Sequence, residues 1–557
     1  MPQELTAEKI IQHTGSLKGQ RSNFDTYYQT LHDYFYVEAE NINRSYYPGT
    51  ELDFLYLLDG TSLDLADILA SGISNYLTPG ASKWFMLEHP DRALKDQKSV
   101  RAWMQDTADQ INFVLNRSNF YNQMPIFYKA SGVYGTSVLM IEEDHEDELR
   151  FYNMPIRTSY ITEDAREKPL EYYMPFEFTA EQAFTKFGDK IDKDVYEALI
   201  AKRNPDKKYE YIYYLGPRVL REFGKQDNQS LPVRGVWIEK KSKHIMKEDG
   251  YHNMPAVAHR FYKRPRIPYG FSPAMKALPW VRMLNTMADT MLRAAMKQTD
   301  PPIAVPDSGF LAPMNFNPRA QNYYKKGKLD PTKDIAPIGN YGNINVGMKE
   351  IEYYSNQAGN MMFKNAFLSF QNITKQMTVP EVIQRQNEAM TLLGPAVGRY
   401  MSDVLQPMVE RAIGILWRNG KLPPIPDEMM MRPEYDVKFV GRLAQAQNQS
   451  EMNNMTNALN IAGQVAQFKP EALDKINADE TIDELWGITN APANMIYDTK
   501  EVIQIREARA KQQQMMAAME MAKTGAGALK DAAVADKNSA DARQATAAEP
   551  EEEEAVL

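Results

Sequence analysis

Between residues 272 and 375 the chain reads as two long helices separated by residues 300–349, which are rich in Pro, Gly and Asn. No other feature restricts the fold as much. Ser272-Pro273 places a capping hydroxyl before a proline at the first helical position. SPAMKALPWVRMLNTMADTMLRAAMKQT then keeps apolar residues at helical spacing until Asp300-Pro301-Pro302 stops it. The short apolar runs IAVP, IAPIG and NINVG predict a small irregular β excursion, and a second helix is expected from about Lys349 to Lys375. Helices joined in this way lie antiparallel and send the excursion out from one end. Trp280, Met283, Leu284, Met287, Met291 and Leu292 are too many for one narrow stripe, so contact on more than one side is expected. A four-helix core would give the same pattern.

The rest of the chain separates helix from sheet. Leu17, Phe24, Tyr27, Tyr28, Leu31, Tyr34 and Phe35 recur at threes and fours within residues 6–47, which predicts one or two amphipathic helices. DGTSLDLADILASGISNYL, opened by Asp59, predicts a helix that ends at Thr78-Pro79-Gly80. Two more are expected from about Ser99 to Asn116 and from Asn119 into Tyr134. VLMIEED and ELRFYNMP read as strands around a charged turn. YEYIYYLGPRVL, VRGVWIE and HIMKE alternate as strands, with KQDNQS as a loop. Thr378-Val379-Pro380-Glu381 has the form of a capping box. It opens a third long helix to about 418, expected to bend at Gly394-Pro395 and to stop at Asn419-Gly420. Residues 433–515 hold a short strand, YDVKFVG, followed by helices. From about 524 to the closing EPEEEEAVL large apolar side chains are few, and an unstructured acidic tail is expected. Such segregation predicts an α+β fold, predominantly helical.

Composition narrows the chemistry. A chain of 557 residues exceeds what one core serves, so several lobes are expected. The absence of cysteine excludes disulfides, thiolate metal sites and a cysteine nucleophile. The 7 histidines include no HExxH and no i, i+4 pair. Walker A, GxSxG and a GxGxxG after a strand are all missing, so no catalytic site and no cofactor is implied. Glu142-Glu143-Asp144 and Glu146-Asp147-Glu148 could hold Mg²⁺ or Ca²⁺. They sit in a predicted hairpin turn without EF-hand spacing, and a solvated loop is the plainer reading. The tyrosines of YEYIYYLG could stack on bases, but their alternation suits a strand with one packed face better. No apolar run approaches the length needed to cross a bilayer, and MPQELTAEKIIQH lacks the apolar core of a signal peptide. The protein is therefore expected in the cytosol or in something assembled there. The 32 Met and 31 Tyr suit adaptable, half-wet subunit contacts, with genomic bias as the alternative.

Net charge is −9 and the isoelectric point about 5.5, which argues against a protein that wraps DNA tightly. A passage through which DNA slides is compatible with it. The positions of the basic residues are more telling. Lys276, Arg282, Arg293 and Lys297 face one acid, Asp289, in the first long helix, and the excursion adds Arg319, Lys325, Lys326, Lys328 and Lys333. In a monomer these are ordinary surface charges. In a closed ring each becomes a belt around the axis, with a larger effect on the field than net charge suggests.

In their order, several segments resemble the head-to-tail connector (portal) proteins of short-tailed, T7-like bacteriophages. They are RSNFDTYYQTLHDYF, DGTSLDLADILASGISNYLTPGASKWFML and LNRSNFYNQMPIFYKASGVYGTSVLMIEED. PYGFSPAMKALPWVRMLNTM, DPPIAVPDSG and MTVPEVIQRQNEAMTLLGPAVGRYMSDVLQPMVERAIGILWRNGKLP continue the series, so the resemblance covers about residues 15–510. It implies a non-enzymatic subunit of a homododecameric ring at one capsid vertex of the virion. The wing would be 1–271, the first stem helix 272–299, the clip 300–349 and the second stem helix 350–371. A tunnel loop at 372–379 would face the DNA with Lys375 and Gln376. A long bent helix at 380–439 would return to the wing, and 440–515 would form the crown, before the acidic tail at 516–557. One departure is Pro380, where relatives more often keep a residue with an amide proton.

The resemblance also implies partners: the DNA duplex passing through, the large subunit of the terminase motor, tail adaptor and tail tube proteins, and major capsid and scaffold proteins. It implies no membrane and no cofactor. Arg282, Arg293, Lys297, Lys364 and Lys375 would offset phosphate repulsion in the channel. Arg319, Lys325, Lys326 and Lys328 would meet the motor or the adaptor. The competing readings are a metal-dependent nucleic-acid enzyme built on residues 142–148 and a capsid scaffold or internal core protein.

Overall fold

Helices dominate the start of the chain and sheet its middle. The computed structural model describes residues 6–43, 57–95, 97–201, 207–222, 224–225, 227–300, 344–368, 394–440, 442–469, 476–489, 495–497 and 499–545. Within the excursion it describes 303–304, 321, 323, 325, 330, 333 and 336–337. The chain divides into two units. One comprises Met1–Glu88, Met104–Ile425 and Tyr435–Thr489, the other His89–Trp103, Pro426–Glu434 and Asn490–Leu557.

In chain order, α1 (Ala7–Phe35), α2 (Thr61–Leu77), β1 (Phe85–Glu88), α3 (Arg92–Lys95), α4 (Lys98–Arg117) and α5 (Phe120–Tyr134) come first. The hairpin β2 (Thr136–Asp144) and β3 (Glu148–Met154) is followed by β4 (Tyr160–Glu163), β5 (Pro169–Thr179), α6 (Ala180–Phe187) and α7 (Lys193–Ala201). Then come β6 (Lys208–Pro217), β7 (Val233–Glu239), β8 (Ile245–Tyr251), β9 (Ala256–Arg260) and α8 (Pro273–Thr299). β10 (Ile303–Ala304), β11 (Ala336–Pro337), α9 (Ile344–Met361) and α10 (Lys364–Leu368) follow. A π-helical turn at Met401–Leu405 leads to α11 (Gln406–Arg418), β12 (Asp436–Phe439), α12 (Arg442–Phe468), α13 (Ala478–Thr489) and α14 (Thr499–Ala545). The class is α+β, mostly helical.

The larger sheet has the antiparallel order β4-β5-β6-β7-β8. Alternation in β6 sends Tyr209, Tyr211, Tyr213 and Leu215 to the face covered by Ala183 and Phe187 of α6 and Val195 of α7. Ile212 and Tyr214 take the other face, where Ile10 of α1 packs with Tyr173, Val236 and Ile238. The expectation of a single packed face is therefore corrected: α1 covers the second one. All four β6 tyrosines are buried, so none of these rings is available to stack on a base.

The smaller sheet, β3-β2-β9, puts β2 in the centre. α5 packs on it and ends at Gly135, whose φ of 80° is a left-handed conformation that glycine adopts without strain. Ser272 then starts α8 as expected. Its hydroxyl accepts from the Met275 N–H at 2.9 Å and donates to the Val133 carbonyl at 2.7 Å, which ties the head of α8 to the end of α5. Two buried guanidinium groups pin elements together. Arg21 of α1 donates to the carbonyls of Ile156, Arg157 and Ser159 at 2.6–2.7 Å. Arg411 of α11 donates to those of Ile141 and Asn253 at 2.9 Å, and burial pulls its pKa down to about 10.

α8 and α9 pack antiparallel. Trp280, early in α8, meets Tyr353 and Tyr354 late in α9, while Met291, late in α8, lies against Gly347 at the start of α9. The ends of the excursion pair as β10 and β11. The second long helix departs from expectation at both ends. It begins at Ile344, and it breaks at Phe363, whose φ is 60°, before restarting as α10. The broken turn lets the Phe363 ring stack on Phe261 of the β9 end, 6.5 Å away. From residue 394 to 400 the chain is helical, and the residues before Gly394, on which the expected bend at Gly394-Pro395 depends, lie outside the described residues. Within the described part of this segment the helix is interrupted by the π turn, where the Gln406 N–H reaches back to the Met401 carbonyl and Pro407 has no N–H to give. Thr378–Glu381 lies outside the described residues.

Other departures are long-range. FMLE is a strand, β1, and it pairs with β12 through Phe85↔Phe439 to Glu88↔Asp436. In the second unit, His89 Nδ1 accepts from the Asp91 N–H at 3.0 Å, and Lys98 pairs with Glu501 of α14 at 3.2 Å. The segment read from composition as an unstructured tail is helical as far as Ala545. Burial arguments overlook that alanine, lysine and glutamine favour helix without any core.

Candidate DNA-channel and interface residues

Helix phase decides what the basic residues of α8 can do. At 100° per residue, Arg282, Arg293 and Lys297 fall within about 60° of one another. On the same count Trp280 and Met291, which face α9, lie on the opposite side. The three cations thus share the α8 face turned away from its hairpin partner, and all three are exposed. They are not equivalent. Asp289 sits one turn before Arg293, and its carboxylate accepts from Nε at 2.9 Å. Lys297 has no ion pair among the described residues. Arg282 stands near Tyr27 of α1: burial raises the pKa of the Tyr27 hydroxyl, and Arg282 opposes that rise.

Lys364 is half-buried at the start of α10, where its stem folds against Gly359 and near Leu65 of α2. Lys325 is exposed in the excursion. Lys375, Gln376, Arg319, Lys326 and Lys328 lie outside the described residues.

The acidic hairpin turn is largely taken up by the fold. Asp144 accepts from the Asp147 N–H at 3.0 Å, and this bond holds its carboxyl below the usual range. Arg117 lies 3.7 Å from Asp147, Asn419 donates to Glu143 at 3.0 Å, and Lys421 lies 3.5 Å from Glu148. Among the described residues no three carboxylate or histidine side chains converge as a metal site. No helix of the described residues is long and apolar enough to cross a membrane.

A wide comparison agrees with this architecture. The family described as bacteriophage head to tail connecting protein matches residues 7–496. The chain belongs to this family. Two curated relatives support the placement. The portal protein of Salmonella phage epsilon15 is 28% identical over 532 residues, 94% of each chain. The probable portal protein of Bordetella phage BPP-1 is 25% identical over 528 residues, 92% of this chain and 93% of its own.

For a connecting protein the uncovered apolar surface matters as much as charge. Every buried residue of α8 lies between Pro273 and Leu284. Beyond that point Leu292 and Met296 are 48% and 59% exposed, and Val346 and Met348 of the facing α9 are 55% and 61% exposed. Reading the sequence missed one basic group of this connecting protein. The run Lys263-Arg264-Pro265-Arg266 comes two residues after β9, and its first two residues line an open pocket with Lys276. The run itself was the available signal.

Proposed function

We propose that the chain is the portal subunit of a bacteriophage virion, one of twelve in a ring at a single capsid vertex. DNA enters through this ring during packaging and leaves through it at ejection. The observation that carries the ring is the α8–α9 hairpin, which is packed at its head and bare along the apolar remainder of both helices. Side-by-side copies around an axis would cover that surface, in a way that one chain cannot.

On this reading residues 1–271 form the wing, α8 and α9 the stem, 300–349 the clip and 440–515 the crown. The residues between the stem and α11 contain the tunnel loop at 372–379. Arg282, Lys297 and Lys364, with Lys375 from the loop, set belts of positive charge that ease the passage of phosphates, and Arg293 adds less because Asp289 neutralises it. Lys325 and its basic neighbours in the clip would meet the terminase large subunit and later the tail adaptor. Translocation is driven by that separate ATPase, and the chain itself carries out no chemistry.

The test is negative-stain electron microscopy of the full chain with a mass measurement on the same sample. Rings with a central hole and a mass near twelve times 63.7 kDa are expected. A monomer that forms no rings even when co-expressed with its scaffold protein would overturn the reading. Normal genome yield and length with Lys364→Gln and Lys375→Gln together would remove the channel role of those two residues.

A further inference from the structure

α14 runs for 47 residues, about 70 Å of helix. Glu501 in its first turn pairs with Lys98, but every side chain from Ile503 to Met519 is exposed, as are Lys530 and residues 533–539. Its alanines, lysines and glutamines are enough to make it helical, whereas Ile505, Met515 and Met519 stand in water and need another reason. They are not scattered. Counting alternately three and four residues from Ile505 to Arg543 gives twelve positions, and nine are apolar: Ile505, Met515, Met519, Leu529 and five alanines. The same alternation on the opposite side, from Arg506 to Ala545, also gives twelve positions, of which four are apolar. A seven-residue repeat sustained this long is the seam of a coiled coil, and the alanines let the backbones come close.

The residues flanking the seam say what lies against it. By position in the repeat, one flank holds Arg509, Lys523, Lys530 and Lys537, while the other is neutral except for Lys511. An antiparallel helix of the same sequence would set the basic flank against itself, and the facing charges would repel. A parallel copy in register sets each of the four cations against a neutral residue five places earlier: Gln504, Ala518, Gly525 and Ala532. A ring, whose copies are related by rotation about one axis, can supply such a neighbour to every subunit. We propose that α14 associates, parallel and in register, with α14 of a second copy of this chain through the seam from Ile505 to Ala540. The portal reading enters only in setting how many copies take part.

The chain has no cysteine, so single cysteines can be introduced into the full protein and oxidised with copper phenanthroline. A disulfide forms only where the two Cα atoms come within about 7 Å. Met519→Cys, in the middle of the seam, and Ile505→Cys, at its start, are each expected to give a covalent dimer on a non-reducing gel. Ala517→Cys, two residues from Met519 but on the opposite side, should remain monomeric under the same conditions. All three positions are exposed, so none of the variants disturbs a core. Cross-linking of Ala517→Cys as complete as that of Met519→Cys overturns the seam, as does its absence at both seam positions. Cross-linking of Met519→Cys without that of Ile505→Cys overturns the parallel register, because an antiparallel copy brings Ile505 beside the far end of the helix. Electron micrographs of the same preparations report on the ring separately. Rings without seam cross-links refute this inference and leave the portal reading intact, and seam cross-links in a sample that never forms rings do the reverse.

Discussion

Gly135 and Gly270 lie backbone against backbone, so close that a Cβ on either would run into the carbonyl oxygen of the other. The contact joins the end of α5 to the approach of α8, and it is what lets Ser272 reach Val133. Gly135→Ala adds a left-handed conformation, at roughly 1–2 kcal/mol, to that collision. A loss of about 2 kcal/mol or more in urea unfolding is expected, with a lower midpoint and unchanged slope. A midpoint equal to wild type would mean that the two strands of backbone are not in contact.

Asp289 and Arg293 are exposed partners one turn apart on α8, the type of pair that contributes only about 0.3–0.5 kcal/mol. Asp289→Asn should therefore leave the unfolding midpoint almost unmoved. It should also release one positive charge per subunit, so that assembled rings bind DNA more tightly at low salt and lose that gain at high salt. Equal DNA affinity of variant and wild type at low salt would place this face of α8 away from the nucleic acid.

His259 is fully buried, 2.6 Å from the Ser131 hydroxyl and stacked on Tyr400 with 3.4 Å between ring centroids. Burial, helped by Arg260 and Arg399, pushes its pKa well below the ordinary histidine value, so the folded protein holds it neutral. In the unfolded chain it protonates near pH 6.5, and below that pH the unfolded state binds the extra proton. Its contribution to stability is complete above about pH 6.5 and falls by up to about 1.4 kcal/mol per pH unit as the pH drops towards the folded value. Comparing urea midpoints at about pH 7.5 and about pH 5.5, His259→Gln should show a smaller loss than wild type. An identical loss would assign the acid sensitivity to other groups.

Signals that were local in sequence were legible. The Ser272 cap, the helix it opens, the charged β2–β3 hairpin and the strands β6 to β8 each announce themselves within a dozen residues or so. What failed was decided at a distance. β12 was legible in YDVKFVG, but its partner β1 is only four residues long, carries no strand signal of its own and lies far away along the chain. Nothing in NMMFKNAF announces a left-handed Phe363, whose ring packs against Phe261 from a distant part of the chain. For the candidate site, the sequence showed which residues are basic. It could not show that Arg293 is half-silenced by Asp289, that Lys364 is folded onto Gly359, or that Arg264 and Lys276 are held over aromatic rings.

The π turn at Met401–Leu405 takes one more residue than an α-helical turn of the same span, so the helix before it is rotated by about 100° from where an uninterrupted helix would carry it. Tyr400 reaches the His259 ring and Asp403 comes within 3.5 Å of Arg260 only because of that rotation. The aim of the whole segment upstream is thus set by the count of residues in a single turn, and deleting one of them would turn every side chain from 394 to 400 towards a different neighbour while leaving the helix hydrogen-bonded throughout.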